Sequence, residues 1–298
     1  MSWIPPSGCS RPVAEGRDLA VLRWLPTNTL DGPRQMALDA WLLKRAVEGD
    51  RSGPVLRFYR WSRPTLSLGK HQGTIEPRWR HLVEAGQLAL ARRPTGGSAV
   101  LHGGDLTYAL VWPDPPRRRR EAYRLCCRWL QEAFADLGQP LTFGDSPCVA
   151  NQANCFASST AADLVHANGQ KRVGSAQLWR GGCLLQHGSV LLAPDPRLWG
   201  EVFGASPPKL LPLPLVGEDL EAHLLAAAQR WLPLPGSQAG DGPLGGPVEL
   251  RQVEWIRTVE WETIHAEACH YDVGEAGDRA AALSAMDWAT DSKGSPGG

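Results

Sequence analysis

Apolar positions along this chain recur in two periods, and the alternation between them predicts its elements. A 3.6-residue period runs from Pro33 to Val47, with Met36, Leu38, Trp41, Leu42 and Ala46 on a stripe and Pro33 suited to the first turn. Glu121 to Leu137 repeats it more strongly, with Tyr123, Cys127, Leu130, Phe134 and Leu137 on one face and Gly138 as the stop. A third helix is predicted over 219–231 around Leu220, Leu224, Leu225 and Trp231, and a short one over 76–85 ending at Gly86. A last helix is expected near His270 to Met286, interrupted by Gly274 and Gly277. Strand patterns fall at Leu19–Trp24, Val55–Trp61, Leu66–Gly69, Leu88–Arg92, Leu106–Trp112, Ala162–Val165, Gln170–Gln177 and Cys183–Leu192. Several of these strands are joined by tight turns, which fits antiparallel hairpins. Strands mixed with segregated helices predict an α+β fold with a mixed, largely antiparallel sheet flanked by helices, rather than a doubly wound sheet.

Composition narrows the classes. The 298 residues are 43% apolar and 21% charged, an ordinary globular balance with enough chain for a sizeable core. Lysine plus arginine equals aspartate plus glutamate, 31 each, which argues against nucleic acid as the main partner. No apolar run approaches the roughly 18 residues of a membrane span, and residues 1–18 lack the apolar core of a secretory signal. A cytoplasmic monomer with a flexible lead-in over 1–18 is expected. Seven cysteines at scattered spacing and no CxxC pair predict neither a disulfide framework nor a zinc site. The thirteen tryptophans are spread along the chain and read as core anchors.

Candidate chemistry concentrates between residues 92 and 188. Arg92-Arg93-Pro94-Thr95-Gly96-Gly97-Ser98 leads to His102, and Gly96-Gly97 allow a ligand close to the backbone. Successive amides in such a turn cradle an anion or a polarised carbonyl. No Lys-Ser or Lys-Thr follows at P-loop spacing, and the run is not a dinucleotide fingerprint. Cys155-Phe156, Gly169 to Gln177 and Leu185-Gln186-His187-Gly188 add a thiol, a lysine and a second histidine, an inventory suited to acyl transfer. The paired Cys126 and Cys127 sit mid-helix and read as packing.

Arg93 to His102 resembles the signature of the lipoate–protein ligase and octanoyltransferase superfamily, which is related to biotin–protein ligases. Met36-Ala37-Leu38-Asp39, Trp61 to Gln72, Lys171 to Gln177 and Leu185 to Leu191 resemble four more of its motifs, in order. The likeness implies a biotin/lipoate ligase-like catalytic domain over 19–235; beyond it, a C-terminal extension over 236–291 is expected to pack on the same domain, and the tail over 292–298 is expected to be disordered. It is nearest the octanoyltransferases that use a cysteine, where a nucleophile precedes phenylalanine, as Cys155 does here.

That resemblance implies transfer of octanoyl from acyl carrier protein, through a thioester on Cys155, to a lysine of a lipoyl-carrier protein. The acceptor would be the glycine-cleavage H protein or a 2-oxoacid dehydrogenase lipoyl domain. Lys171 would orient the acyl carbonyl or help remove the amine proton. Arg93, Gly96, Gly97, Ser98, His102, Gly174, Ser175, Gln177 and His187 are expected to hold substrate, with turn amides as oxyanion donors. His102 and His187 are read as pocket-wall residues more than proton carriers. Cys148 rivals Cys155 as the thiol. No cofactor or metal is implied; an ATP- and magnesium-dependent ligase is the alternative, followed by a non-catalytic acyl or carrier binder. Ser98 in the third position of the glycine run and Gly103-Gly104 after His102 depart from the family pattern, and both are expected to alter the pocket. The basic run Arg117 to Arg120 is a candidate for steering an acidic carrier.

Overall fold

The computed structural model describes residues 20–144, 163–232, 248–253 and 258–273. Cys148, Cys155, the lead-in, the loop over 236–247 and the tail lie outside them.

An eight-stranded sheet organises the chain. Its order is β11 (Val248–Gln252), β1 (Ala20–Leu30), β2 (Val55–Trp61), β6 (Asp105–Trp112), β10 (Cys183–Leu191), β9 (Lys171–Arg180), β8 (Leu164–Val165) and β7 (Thr142–Phe143). The pairings of β1 with β11 and with β2 are parallel, and the rest are antiparallel. Parallel neighbours need a crossover, and helix α1 (Gly32–Val47) supplies it between β1 and β2. The β9–β10 hairpin closes through Gly181 and Gly182, flanked by paired Arg180 and Cys183. Both glycines have positive φ, 52° and 78°, as a two-residue primed turn demands. A smaller sheet, β4 (Ala89–Arg92), β3 (Thr65–Leu68) and β5 (Val100–His102), lies beside it.

Helices cover both faces of the large sheet. One core joins α3 (Arg119–Asp136) and α5 (Gly217–Trp231) to Leu56, Phe58, Tyr108 and Leu110. Another joins α1 and α6 (Thr258–Glu267) to Tyr59, Ala109, Val111 and Leu185. A third seats α2 (Pro77–Glu84) and α4 (Pro196–Phe203) against the small sheet. The alternation in Leu106–Trp112 therefore marks no wet face: all eight residues of β6 are buried, because helices lie above and below. Cys126 and Cys127 are core residues of α3, as their helical spacing predicts. No described helix is long and apolar enough to cross a membrane.

Three expectations need correction. Among the described residues the last helix is Thr258–Glu267, followed by a 3₁₀ turn (Ala268–His270), so no helix starts at His270; the rest of the stretch expected to run to Met286 lies beyond residue 273, outside the described range. Strand β1 continues past Trp24 to Leu30, with an irregularity between Leu25 and Asn28. Helix α4 is an addition. Asp195 caps it by accepting from the amides of Arg197 and Leu198, Pro196 occupies its first turn, and Gly204 closes it at φ 67°.

One buried ion pair fastens α1 to the sheet. Asp39 on α1 and Arg57 on β2 meet at 2.7 Å with both side chains fully buried. Arg57 also donates to the Gln35 side chain and carbonyl, both at 2.8 Å, and Tyr59 donates its hydroxyl to Asp39 at 3.0 Å. Burial alone would raise the Asp39 carboxyl, but the Arg57 charge and the His187 hydrogen bond outweigh it and hold it below its ordinary value.

Asp39→Asn removes the charge and leaves buried Arg57 without its counter-ion, so a loss of about 3–5 kcal/mol is expected in denaturant unfolding at neutral pH. A carboxyl depressed in the folded state stabilises it fully above the ordinary value of 3.8, and that contribution fades as pH falls through the lower folded value. The stability of Asp39→Asn should therefore fall less steeply than wild type below about pH 4; parallel curves would contradict the assignment.

Candidate active site

The glycine turn is held by the arginine that enters it. After β4, the Arg93 side chain folds back and donates to the carbonyls of Ser67 (2.8 Å), Gly96 (2.9 Å) and Ser98 (2.7 Å). Main-chain bonds from Arg93 to Leu68 (3.0 Å) and from Lys70 to Thr95 (2.8 Å) tie the turn to the end of β3. Gly97 adopts φ 99°. Gly69 packs so closely on it that a Cβ would overlap the Gly97 carbonyl, which accounts for the glycine before Lys70.

This turn closes one end of a cavity of about 70 Å³ between the two sheets. Met36 of α1, Tyr59 and Trp61 of β2, and Val100 of β5 provide its bulk. Gly174, Ser175 and Ala176 of β9 and Gly188 of β10 provide the opposite wall. Gly188 has no room for a side chain: a Cβ would stand 2.7 Å from the Gly174 carbonyl, the Ser175 hydroxyl and the Tyr108 ring. The two strands thus present backbone to the cavity at that point.

Two imidazoles face the cavity, and each is held at both nitrogens. His187 Nδ1 lies 2.8 Å from the Asp39 carboxylate and its Nε2 lies 2.7 Å from the Thr95 hydroxyl. His102 Nδ1 lies 2.8 Å from the Asp105 carboxylate and its Nε2 lies 2.8 Å from the Ser67 hydroxyl. Arg93 donates to that same hydroxyl oxygen at 3.3 Å, which turns the Ser67 proton toward His102 and fits a neutral ring with hydrogen on Nδ1. Trp61 stacks on the His102 ring at 4.0 Å and donates its indole N–H to Thr107 at 2.8 Å. The Thr107 and Ser189 hydroxyls donate hydrogen bonds to the Asp105 carboxylate at 3.0 and 2.7 Å. Burial would raise the Asp105 carboxyl; the His102 contact and these two hydroxyls hold it low instead.

Of the residues expected to hold substrate, Arg93, Gly96, Gly97, His102, Gly174, Ser175 and His187 converge on this cavity. Ser98 and Gln177 are not among the residues that line it. The Ser98 carbonyl is turned toward Arg93. Gln177 donates to Gln186 at 2.7 Å, Gln186 to the Tyr108 hydroxyl at 2.8 Å, and that hydroxyl lies 2.9 Å from Ser175, so Gln177 reaches the cavity only through others. Gly103-Gly104 form the β5–β6 turn outside the cavity, at φ 145° and 115°, and a Cβ on Gly104 would overlap the Ala193 carbonyl. The acid that follows them, Asp105, is the one that engages His102.

Lys171 is not on a solvated turn. It opens β9, is 3% exposed, and pairs with Asp163 at 2.9 Å in an equally buried setting. It does not line the cavity, though Gly174, three residues along the same strand, does. Burial pushes Cys127 up to about 12, with a hydrogen bond from Gln186 opposing, and raises Cys126 and Cys183 as well, so these three thiols are inert. Asp39, Asp105, Ser67 and Asp163 were not singled out from the sequence. Asp39 and Ser67 fell inside quoted motifs; Asp105 and Asp163 offered no signal beyond being acids next to strand patterns.

Sequence and structure comparisons agree with this architecture. Residues 31–209 match the model of the lipoyl protein ligase A/B catalytic domain. The chain is 38% identical over 185 residues to octanoyltransferase LipM of Halalkalibacterium halodurans, covering 58% of this chain and 66% of that one, just under two-thirds of its length. It is 31% identical over 191 residues to octanoyltransferase LipM of Exiguobacterium sp., covering 60% and 68%. The structure of a lipoate-protein ligase A bound with ATP superposes with a TM-score of 0.64 at 20% identity, covering 82% of this chain and 92% of that one, a likeness of fold. With the match spanning the glycine turn, both histidines and Lys171, the chain belongs to the lipoyl protein ligase A/B catalytic domain family.

Proposed function

We propose that this chain is a cytoplasmic octanoyltransferase that takes octanoyl from acyl carrier protein and passes it, through a thioester on Cys155, to a lysine of a lipoyl-carrier protein. The observation that carries the reading is the cavity. Its bulk is apolar, and every imidazole nitrogen on its wall is already engaged with a hydroxyl or a carboxylate. Such a wall suits an acyl chain. Among the described residues that line it, neither imidazole has a nitrogen left over for activating water, which favours a long-lived acyl-enzyme. The resemblance of the chain to several LipM octanoyltransferases supports the same activity.

In this reading the Cys155 thiolate attacks the carbonyl of the carrier thioester. A new sulfur–carbon bond forms, and the carrier leaves as its thiolate. The acceptor lysine amine then attacks the enzyme thioester, the amide carbon–nitrogen bond forms as the sulfur–carbon bond breaks, and the departing Cys155 thiolate takes up the proton that the amine loses. The carbonyl is already activated as a thioester, so no nucleotide is consumed. Lys171, paired with Asp163 at 2.9 Å, opens the strand that walls the cavity from Gly174 onward, and in this reading it orients the acyl carbonyl or helps remove the amine proton. Amides of the Gly96-Gly97 turn are the remaining donors for a developing oxyanion.

Two outcomes are expected. Incubation with octanoyl–acyl carrier protein without ATP should add one octanoyl group to the intact protein. The adduct should be absent from Cys155→Ala and discharged by an added lipoyl domain; an adduct that persists in Cys155→Ala would place the thioester elsewhere, with Cys148 next to examine. Lys171→Ala should slow transfer about 10²- to 10³-fold and also strand the Asp163 carboxylate in the core, at about 3 kcal/mol or more. The double variant Asp163→Asn/Lys171→Met removes both charges, so it should recover much of that stability while transfer stays slow. Recovery of both would make Lys171 a structural residue only.

A further inference from the structure

The arginine run before α3 continues on the helix. Residues 117–128 hold six arginines and one acid, in a chain whose basic and acidic residues are equal overall, 31 each. Arg119 and Arg120 are already helical, and Arg120, Arg124 and Arg128 follow at four-residue steps, which places them along one face. With Arg118 they line an open groove of about 830 Å³ that runs to Phe143. Glu121 and Glu132 are the acids on it, and Glu132 lies 3.8 Å from Arg128. The helix makes this charge more costly. Its first turn has no side-chain cap, and arginines at a helix N-terminus add like charge to the positive end of the dipole.

Helix α3, which carries the groove, touches a wall of the acyl cavity, although groove and cavity share no lining residue. Tyr123, flanked on the helix by Arg120 and Arg124, donates its hydroxyl to the Ser175 carbonyl at 2.7 Å, and Ser175 lines the cavity. The Arg119 guanidinium stands 6.0 Å from the Trp179 ring on the same strand. A partner held on α3 is therefore held beside the wall through which an acyl group would pass.

We propose that the arginine face of α3 is the docking surface for the acyl donor, an acidic protein that carries its acyl group as a thioester on a flexible arm and lays an acid-rich helix along the groove. This rests on the transferase reading and adds to it a place for the donor. Charge complementarity selects the occupant. Guanidinium forks pair with carboxylates two bonds at a time, and a basic strip on a neutral protein steers an acidic partner to one face. A nucleic acid is disfavoured, because outside this strip the chain has no excess positive charge to follow a phosphate backbone.

The test uses the full chain, its Arg120→Glu/Arg124→Glu variant and the milder Arg120→Gln/Arg124→Gln variant. Binding of fluorescently labelled octanoyl–acyl carrier protein is measured at low and high salt, alongside transfer from that carrier and from octanoyl-pantetheine, a small uncharged donor. Wild-type binding should weaken with salt. Charge reversal should raise Kd and KM for the carrier roughly 10- to 100-fold, with the neutral variant between. The rate at saturating carrier and the rate with octanoyl-pantetheine should match wild type. Equal carrier binding by all three proteins, or an equal loss with octanoyl-pantetheine, would overturn the assignment. Tighter binding of a labelled oligonucleotide than of the carrier would overturn it too. If wild type binds the carrier through these arginines yet transfers nothing, the transferase reading fails and the docking surface stands.

Discussion

A single buried carboxylate, Asp39, couples the scaffold to the cavity. It accepts from Arg57 and Tyr59 on β2 and from His187 on β10, and it projects from the crossover helix that makes β1 and β2 parallel. Three elements thus share one fully buried charge. An ion pair so deep contributes little net stability compared with an apolar replacement, but breaking it is costly, and that asymmetry fixes geometry. His187 cannot rotate without leaving Asp39, and Thr95, bonded to the other ring nitrogen, brings the glycine turn into the same chain of contacts.

Asp105 repeats the device on the other wall. It gathers His102, Thr107 and Ser189, while Ser67 closes the far side of the ring and Arg93 closes the turn. The result is a cavity whose surface is largely apolar and whose polar support stands behind that surface. Fully satisfied networks of this kind rigidify a core. A rigid, largely apolar slot suits the acyl group of the proposed reaction.

Much of this was legible in the sequence, and what was not has physical causes. Helices α1, α3 and α5 announced themselves through amphipathic stripes, and the β9–β10 hairpin through its two strand patterns, Gln170–Gln177 and Cys183–Leu192. Helix α4 carried its own signals, Asp195-Pro196 at the start and Gly204 at the end, within a stretch too short for a stripe to stand out. Strand β11 had none, since its partner β1 lies at the opposite end of the chain and parallel pairing leaves no local turn to read. At the site, glycines, histidines and Lys171 were visible because their types are chemical. Their carboxylate partners were not, because Asp39, Asp105 and Asp163 act through contacts made across strands. Ser98 and Gln177 show the converse: a motif position next to a cavity residue need not face the cavity.

The central claim is that the acyl group arrives already activated, as a thioester. It is tested most directly by measuring octanoylation of a lipoyl domain by one preparation under two regimes: octanoyl–acyl carrier protein with nucleotide removed, and free octanoate with ATP and magnesium. The account predicts rapid transfer in the first and none in the second. Transfer that requires ATP, with the carrier thioester inert, would contradict it and make the chain a ligase.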